Sequence, residues 1–389
     1  MHILIIPSWY PLNLDDIGGS FFREQALALQ KHDCKVGVIY PQLRSLRDWK
    51  SIASGRYGVT SEIDDGMPTY RSHGTNWFPR MPNANSWLWV KHGITLYNRY
   101  INDHGKPDII HVHSALYGGG LAKYINEKDN IPYVITEHSS GYLRGLVSRH
   151  GMVLTKKSTE FSSKNLAVSQ SLCRHMEKAL GTPPNSWHEI PNIVHDNFIN
   201  HKAKQKTKNG NFNFICVALL SENKCIHNAI QAFGMALEKN SSITLTIGGD
   251  GPERSRLEKL SNDLGLASRI KFLGLLSRNQ VLEEISKADA FILPSRHETF
   301  GVVATEALAL GKPVIATRCG GPESIVEEGD GILVPVDDIQ SLADAMLLLH
   351  NNIVKYNPEK IRQSCIARFS ENSIATRLKT IYKEILSDN

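Results

Sequence analysis

Two glutamates, Glu298 and Glu306, stand eight positions apart in the stretch SRHETFGVVATEALALGKPV, residues 295–314. Around them lie Gly301, a run of small apolar residues, Gly311 and Pro313. A carboxylate two turns inside an apolar helix is costly unless it is paired with a cation or used on a ligand. Spacing alone does not separate the two, because short motifs recur by chance. Thr299 is placed to cap a helix whose first amides belong to Phe300, Gly301 and Val302. Free N–H groups and the positive end of the helix dipole suit such a turn to a phosphate or a hydroxyl. Glycine there lets a ligand approach closely. The competing reading is a buried ion pair with some Arg or Lys.

Other residues invite the same question. Lys224 follows an apolar run in ALLSENKCI and, taken alone, is a surface lysine. His113 and His138 close the runs DIIHVHS and VITEH. A histidine at a strand end is often structural, but the carboxyl end of a parallel strand is where ligands bind. Gly249, Asp250 and Gly251 form one tight turn, and Gly320 with Gly321 another; both serve equally as plain turns. Gly18 and Gly19 precede a helix beginning near Phe21.

The elements that must position these groups alternate along the whole chain. In the first half HILIIP, KVGVIYP, PDIIHVHS, PYVITEH and NLAVSQ are unbroken apolar runs, as expected of parallel strands buried on both faces. FFREQALALQKH has helical periodicity, and GGGLAKYINEK reads as a glycine turn opening a helix. Residues 42–89 are less regular and read as an extended excursion over one face. A polar, lysine-rich stretch closed by Asn-Gly follows Pro191 and marks a linker. NFICVALL, SITLTIGGDG, RIKFLG, AFILPS and KPVIAT then repeat the pattern, and ENSIATRLKTIYKEILSD closes the chain as an amphipathic helix. The expected fold class is therefore α/β, two Rossmann-like doubly wound domains facing a cleft. The expected boundaries are 1–195 for the first domain, 196–212 for the linker, 213–370 for the second domain and 371–389 for the final helix.

A chain of 389 residues is too long for one ordinary core. At 41% hydrophobic and 21% charged residues it has the composition of a globular protein. Its net charge of +5 suits a phosphorylated substrate or an anionic membrane surface. No dense Lys/Arg block alternates with aromatics, so nucleic acid is not an expected partner. The six cysteines form no CxxC pair or metal-ligand spacing and read as small core residues of a reducing compartment. The opening MHILIIPSWYP reads as a first strand, and no run approaches the roughly 20 apolar residues of a membrane span. The expectation is a cytoplasmic protein, at most peripheral on the inner face of the plasma membrane.

Several ligand classes are excluded by missing signatures. The first strand–helix turn lacks the G-x-G-x-x-G of a dinucleotide site, the IGGDGPE turn lacks its third glycine, and there is no Walker sequence. No D-x-D occurs to hold a divalent ion on a diphosphate, so no metal and no cofactor are expected.

The ordered series LTIGGDGPE, IKFLG, ADAFILPSRHETFGVVATEALALGKPVIAT, CGGPESI and GILVP resembles the family 4 glycosyltransferases of the GT-B fold, retaining enzymes that use nucleotide sugars. The resemblance covers about 120 residues of the second half and is specific as a set rather than motif by motif; in the first half it rests on the Gly-Gly loop and the DIIHVHS strand end. It makes the glutamate pair look like the family's E-x7-E motif. It implies that Glu298 contacts hydroxyls of the donor sugar and Glu306 accepts hydrogen bonds from the ribose, with Phe300, Gly301 and Val302 in the turn between them. Lys224 matches the lysine on the donor diphosphate, Gly249 a turn near the nucleotide, and His113 a contact to the donor sugar. Gly18 and Gly19 resemble a loop over the donor phosphates and acceptor, with His138 a further candidate beside it. The resemblance further implies that the first domain binds the acceptor, the second the nucleotide sugar, and that the final helix crosses back onto the first domain.

One departure bears on the phosphate chemistry. The family carries an arginine five residues before the lysine and a glycine after it, where this chain has Leu219 and Cys225. Arg318 and Arg296 are the candidates to supply the missing cation. The resulting expectation is a metal-independent transfer from a nucleotide sugar, a UDP-sugar being favoured, to a hydroxyl of a glycan or lipid-linked acceptor in bacterial surface polysaccharide or glycolipid assembly. The rival readings are another GT-B-type enzyme, such as a sugar-nucleotide epimerase or a phosphorylase, and a non-catalytic sugar-nucleotide-binding subunit.

Overall fold

The structure, a computed structural model, describes residues 1–12, 19–47, 52–53, 55, 57–78, 81–201 and 211–388. The chain divides into two compact units. One comprises Met1–Val168, Leu172–Pro191 and Ile374–Asn389, the other Ser169–Ser171 and Asn192–Ser373. Asp196–Asn200, at the start of the expected linker, is a short helix, and residues 202–210 of that linker lie outside the described residues.

The first unit is built on eight strands: β1 (His2–Pro7), β2 (Lys35–Arg44), β3 (Gly58–Asp64), β4 (Met67–Thr75), β5 (Ile109–His113), β6 (Tyr133–Glu137), β7 (Lys164–Ala167) and β8 (Trp187–Glu189). Their order across the sheet is β3-β4-β2-β1-β5-β6-β7-β8. Every neighbouring pair is parallel except β3 with β4. The apolar runs explain the centre. Ile3, Leu4, Ile5 and Ile6 of β1 and Ile109, Ile110 and Val112 of β5 are fully buried, each contributing roughly 1.5–3 kcal/mol. The order reverses between β1 and β5, which makes their carboxyl ends the switch point of this sheet.

The segment 42–89 departs from expectation. It is no irregular excursion over a face: β3 and β4 form a hairpin that extends the sheet edge, and a helix, Pro82–His104, begins within it. Asp64 pairs with Met67, leaving Asp65 and Gly66 as a two-residue turn, both at positive φ of 46° and 87°. That is the geometry that favours Asp-Gly between right-twisted strands. The three glycines of GGGLAKYINEK also sit differently, as the first residues of the helix Gly118–Asp129. A Cβ on Gly119 would lie 2.5 Å from Ser158 Oγ, so close packing between elements explains it better than a turn does.

The second unit is a six-stranded, fully parallel sheet: β9 (Phe212–Val217), β10 (Ile243–Gly248), β11 (Ile270–Gly274), β12 (Ala290–Leu293), β13 (Val314–Thr317) and β14 (Gly331–Val334), in the order β11-β10-β9-β12-β13-β14. Phe214, Ile215, Phe291 and Ile315 lie at its centre without exposure to solvent. Here the order reverses between β9 and β12. Both units are therefore doubly wound and Rossmann-like, the expected α/β class. The final helix is Glu371–Ser387; from Ile374 it belongs to the first unit, where Tyr382 OH meets His111 Nδ1 at 2.6 Å.

Candidate functional site

At the switch point of the second unit, the loops after β9 and β12 leave the sheet side by side. The first tightens into a turn at Glu222–Lys224, and Cys225 caps the helix Ile226–Lys239. The second carries Ser295 and Glu298. Two loop contacts fix their spacing: Arg296 N donates to Asn223 O (2.8 Å), and Asn223 Nδ2 donates to His297 O (3.0 Å). Lys224 Nζ consequently reaches Glu298 Oε1 at 2.6 Å, and Ser295 Oγ donates to the same oxygen at 2.7 Å. Glu298 Oε2 has no partner among the described residues. An ammonium, a hydroxyl and an open carboxylate oxygen thus share one point, able to meet a phosphate and a hydroxyl together.

The backbone of Glu298 is clamped from the far side. Gly321 N donates to Glu298 O (2.9 Å), and Gly320 N is held by Glu323 Oε2 (2.9 Å). A Cβ on Gly321 would stand 2.2 Å from Phe300 O. The Gly320–Gly321 pair is therefore a support for the backbone of Glu298. Gly249 and Gly251 do similar work on the other flank. A Cβ on Gly249 would lie 1.9 Å from Ala218 O, so glycine lets the β10 loop press against the β9 loop that carries Lys224. The Asp250 carboxylate accepts from Gly251 N (2.7 Å) and pairs with Arg254 (3.0 Å).

The helix between the two glutamates starts later than expected. It runs Val302–Ala309, and its N-cap is Gly301 at φ 110°, with no side-chain cap. Thr299 is not the cap, and Phe300 is buried against Phe369 with ring centroids 5.6 Å apart. The reason is steric: a positive φ just before the helix is open to glycine and costly for threonine. The first helical amides are those of Val302 and Val303, so of the three residues named from sequence only Val302 offers an amide at the helix start.

Glu306 is 6% exposed on the same helix. Arg278 Nη2, at the start of the helix Arg278–Lys287, lies 3.9 Å from Glu306 Oε1. A cation does stand near this carboxylate, at a separation longer than a hydrogen bond. Arg278 is a residue that sequence reasoning missed: it sits on another helix at no informative spacing. Leu219, where the family has arginine, is 64% exposed. Of the two candidate replacements, Arg296 is committed to Asp337 through Nε (2.9 Å) and Nη2 (3.0 Å). Arg318 is exposed and anchored by its backbone to Val334 O (2.8 Å). Cys225 occupies φ 47° where a glycine would be unstrained, a conformation that costs a non-glycine residue roughly 1–2 kcal/mol. Its buried thiol contacts Glu222 O at 3.4 Å.

In the first unit, His113 ends β5 and His138 follows β6, and the structure brings them together: His113 Nδ1 lies 3.1 Å from His138 Nε2. Phe22 covers both rings at centroid distances of 4.8 Å. His113 is fully buried beneath this layer, and burial with the neighbouring His111 and His138 holds it well below the ordinary histidine range, so it is neutral. Its Nε2 makes no hydrogen bond to any described residue. Gly19 caps the helix Ser20–Lys31 at φ 76°, and its missing side chain lets the turn close on Trp9 O; Gly18 lies outside the described residues. A residue the sequence left unmarked is Glu137, fully buried at the end of β6. Its carboxylate accepts from Ala115 N (2.9 Å), His138 N (2.9 Å) and Ser139 N (2.8 Å), tying the loops after β5 and β6 together. Among the described residues no group of three or more His, Cys, Asp or Glu side chains is arranged to hold a metal ion, and no helix is long and apolar enough to cross a membrane.

Comparison with known proteins agrees with this arrangement. The family profile Glycosyltransferase Family 4 matches residues 18–198, and the profile Glycosyl transferases group 1 matches residues 197–366. The N-acetyl-alpha-D-glucosaminyl L-malate synthase of Bacillus anthracis is 34% identical over 43% of this chain and 44% of its own. The putative teichuronic acid biosynthesis glycosyltransferase TuaC of Bacillus subtilis is 27% identical over 93% of this chain and 90% of its own. The chain spans less than half the length of the first two curated relatives it matches. Among solved structures, Anabaena HepE in complex with UDP superposes with a TM-score of 0.74 at 20% identity over all of both chains, a likeness of fold. With one profile following the other from residue 18 to residue 366, and the same two-sheet architecture beneath them, the chain belongs to the family 4 glycosyltransferases of the GT-B fold.

Proposed function

We propose that this protein is a retaining, metal-independent glycosyltransferase that moves a sugar from a nucleoside-diphosphate sugar to a hydroxyl acceptor in bacterial polysaccharide or glycolipid synthesis. The observation that carries the reading is the 2.6 Å pairing of Lys224 with Glu298 at the β9/β12 switch point. In this account the Lys224 ammonium and the amino end of the helix Val302–Ala309 receive the diphosphate. Glu298 Oε2 takes a hydroxyl of the donor sugar, and Glu306 takes the ribose hydroxyls. The turns at Gly249 and Gly320–Gly321 hold the flanking loops. Of the two candidate arginines Arg318 is the one that would reach a phosphate, since Arg296 is held by Asp337.

The bond between the anomeric carbon and the diphosphate oxygen breaks with its electron pair leaving on the diphosphate. The acceptor oxygen bonds to the same face of that carbon, and its proton passes to a phosphate oxygen. Lys224 and the helix dipole stabilise the developing charge, and fixed positioning supplies much of the remainder. A UDP-sugar is the favoured donor because HepE, similar in fold, was solved with UDP. The teichuronic acid role in the name of TuaC supports a surface-polymer setting. Exposed Trp77, Met81 and Trp87, with Lys91 Nζ 5.0 Å from the Trp87 ring, support peripheral association with an anionic membrane. The test is an incubation with UDP-sugars in EDTA, read by UDP release and by NMR of the anomeric proton in the product. Product of retained configuration supports the proposal; dependence on added metal or an inverted product overturns it.

A further inference from the structure

Glu137, at the end of β6, is fully buried, and its two carboxylate oxygens face two different loops. Oε1 accepts from His138 N (2.9 Å) and Ser139 N (2.8 Å) and so closes the turn that follows β6. Oε2 accepts from Ala115 N (2.9 Å), in the loop that follows β5. Each of the loops so joined carries one histidine: His113 closes β5, and His138 lies in the turn after β6. Their rings meet at His113 Nδ1 and His138 Nε2, 3.1 Å apart.

The backbone between His113 and Ala115 needs a clamp. Ser114 stands at φ 67°, left-handed backbone that costs a non-glycine residue roughly 1–2 kcal/mol. From the near side, Ser8 N (3.1 Å) and Ser8 Oγ (3.0 Å) donate to His113 O, and Ser114 N donates to Thr136 O (2.8 Å). From the far side, Ala115 N is held by Glu137 Oε2. Strain of this kind persists where the surroundings over-determine it. A carboxylate suits both loops because each of its oxygens accepts. A glutamine offers one acceptor and one NH₂ group, so one loop would meet N–H in place of oxygen.

We propose that Glu137 is a positioning residue of the transfer, acting through His113. It holds the strained turn after β5, so that the His113 ring stays against His138 and its Nε2, which bonds to no described residue, is left for the donor sugar. The two nitrogens of a neutral imidazole have opposite roles, so the contact at Nδ1 also decides whether Nε2 donates or accepts. The assignment rests on the transferase reading, in which His113 meets that sugar.

The test compares wild type, Glu137→Gln and Glu137→Asp, each with and without Ser114→Gly, melting temperatures showing which are folded. Aspartate keeps the charge and can still serve the amides of His138 and Ser139, but it falls about 1.5 Å short of Ala115 N. Glycine takes the left-handed turn at position 114 without strain. Two quantities are read on the full chain. One is the ring-nitrogen resonances of His113 and His138 in histidine-labelled protein. The other is UDP release, with water as acceptor, from whichever of UDP-glucose, UDP-galactose and UDP-N-acetylglucosamine wild type hydrolyses fastest. Both single variants are expected to shift the two ring resonances and to lower kcat at least tenfold, with donor KM within threefold of wild type. Adding Ser114→Gly is expected to restore kcat at least threefold. A loss that Ser114→Gly does not restore, with ring resonances unmoved, overturns the proposal, because Glu137 then acts on the substrates directly. Wild-type kcat in both variants overturns it as well. Should wild type release no UDP from any of the three donors, that counts against the transferase reading, and the ring resonances alone decide here: unmoved in both variants, they remove the positioning role.

Discussion

Lys224 and Glu298, 74 positions apart, form an ion pair of 2.6 Å between Nζ and Oε1. The lysine that would meet the donor's diphosphate is thus already engaged by the carboxylate that would meet the donor's sugar. An arriving diphosphate must share Nζ with Glu298 or displace it. Glu298→Gln removes the competing charge and keeps the shape. We expect nucleoside-diphosphate affinity to rise about 2–5-fold, on the scale of a single ion pair, while transfer falls about 100-fold. Calorimetry with UDP beside initial rates tests this; a parallel fall in both would show that the pair does not compete with the ligand.

Leu219 occupies the place of a family arginine and is 64% exposed, so Leu219→Arg adds a cation at little cost to folding. UDP affinity should rise about 2–5-fold in low salt and decline more steeply as salt is added, since the gain is screened. Equal affinity at every ionic strength would mean that the loop points residue 219 away from the phosphates.

Gly321 has no room for a side chain, because a Cβ would lie 2.2 Å from Phe300 O. Gly321→Ala should cost about 1–3 kcal/mol of stability and, by shifting Glu298, lower transfer even at temperatures where the variant is fully folded. Thermal unfolding and rate measurements on the same preparation separate the two effects. Full activity in the folded variant would remove the support role.

His111 is fully buried with Nε2 2.7 Å from Thr136 Oγ1 and Nδ1 2.6 Å from Tyr382 OH, and burial depresses its pKa from 6.5 to about 3. Below pH 6.5 the unfolded chain holds a proton there that the folded chain excludes. The stability is complete above 6.5 and is lost as pH falls toward 3, at about 1.4 kcal/mol per pH unit. Urea unfolding at pH 7.5 and 5.5 should show a larger loss in wild type than in His111→Gln. Equal losses would show that His111 does not control this range.

Much of the architecture was legible because parallel strands buried on both faces become unbroken apolar runs: His2–Pro7, with Ile3 to Ile6 at its centre, and Ala290–Leu293 announce themselves in this way. The hairpin Gly58–Asp64 with Met67–Thr75 did not, since its outer strand is largely exposed and needs no apolar run. Its signal was the Asp65–Gly66 turn, which lies inside a segment otherwise judged irregular. In the site, the family resemblance singled out Glu298, Glu306 and Lys224, whereas Arg278 beside Glu306 and the clamp of Gly321 on Glu298 depend on contacts between separate elements. The helix start moved to Val302 because left-handed backbone at Gly301 outweighed the capping preference of Thr299.

The central claim is that the β9/β12 switch point binds a nucleoside diphosphate through Lys224 without a metal. Isothermal titration of UDP, GDP and ADP in EDTA tests it on wild type and on Lys224→Met, with unliganded melting temperatures confirming that both are folded. The account predicts binding of at least one nucleotide to wild type and at least tenfold weaker binding to the variant. Undiminished binding to Lys224→Met, or no binding of any of the three to wild type at millimolar concentration, would contradict it.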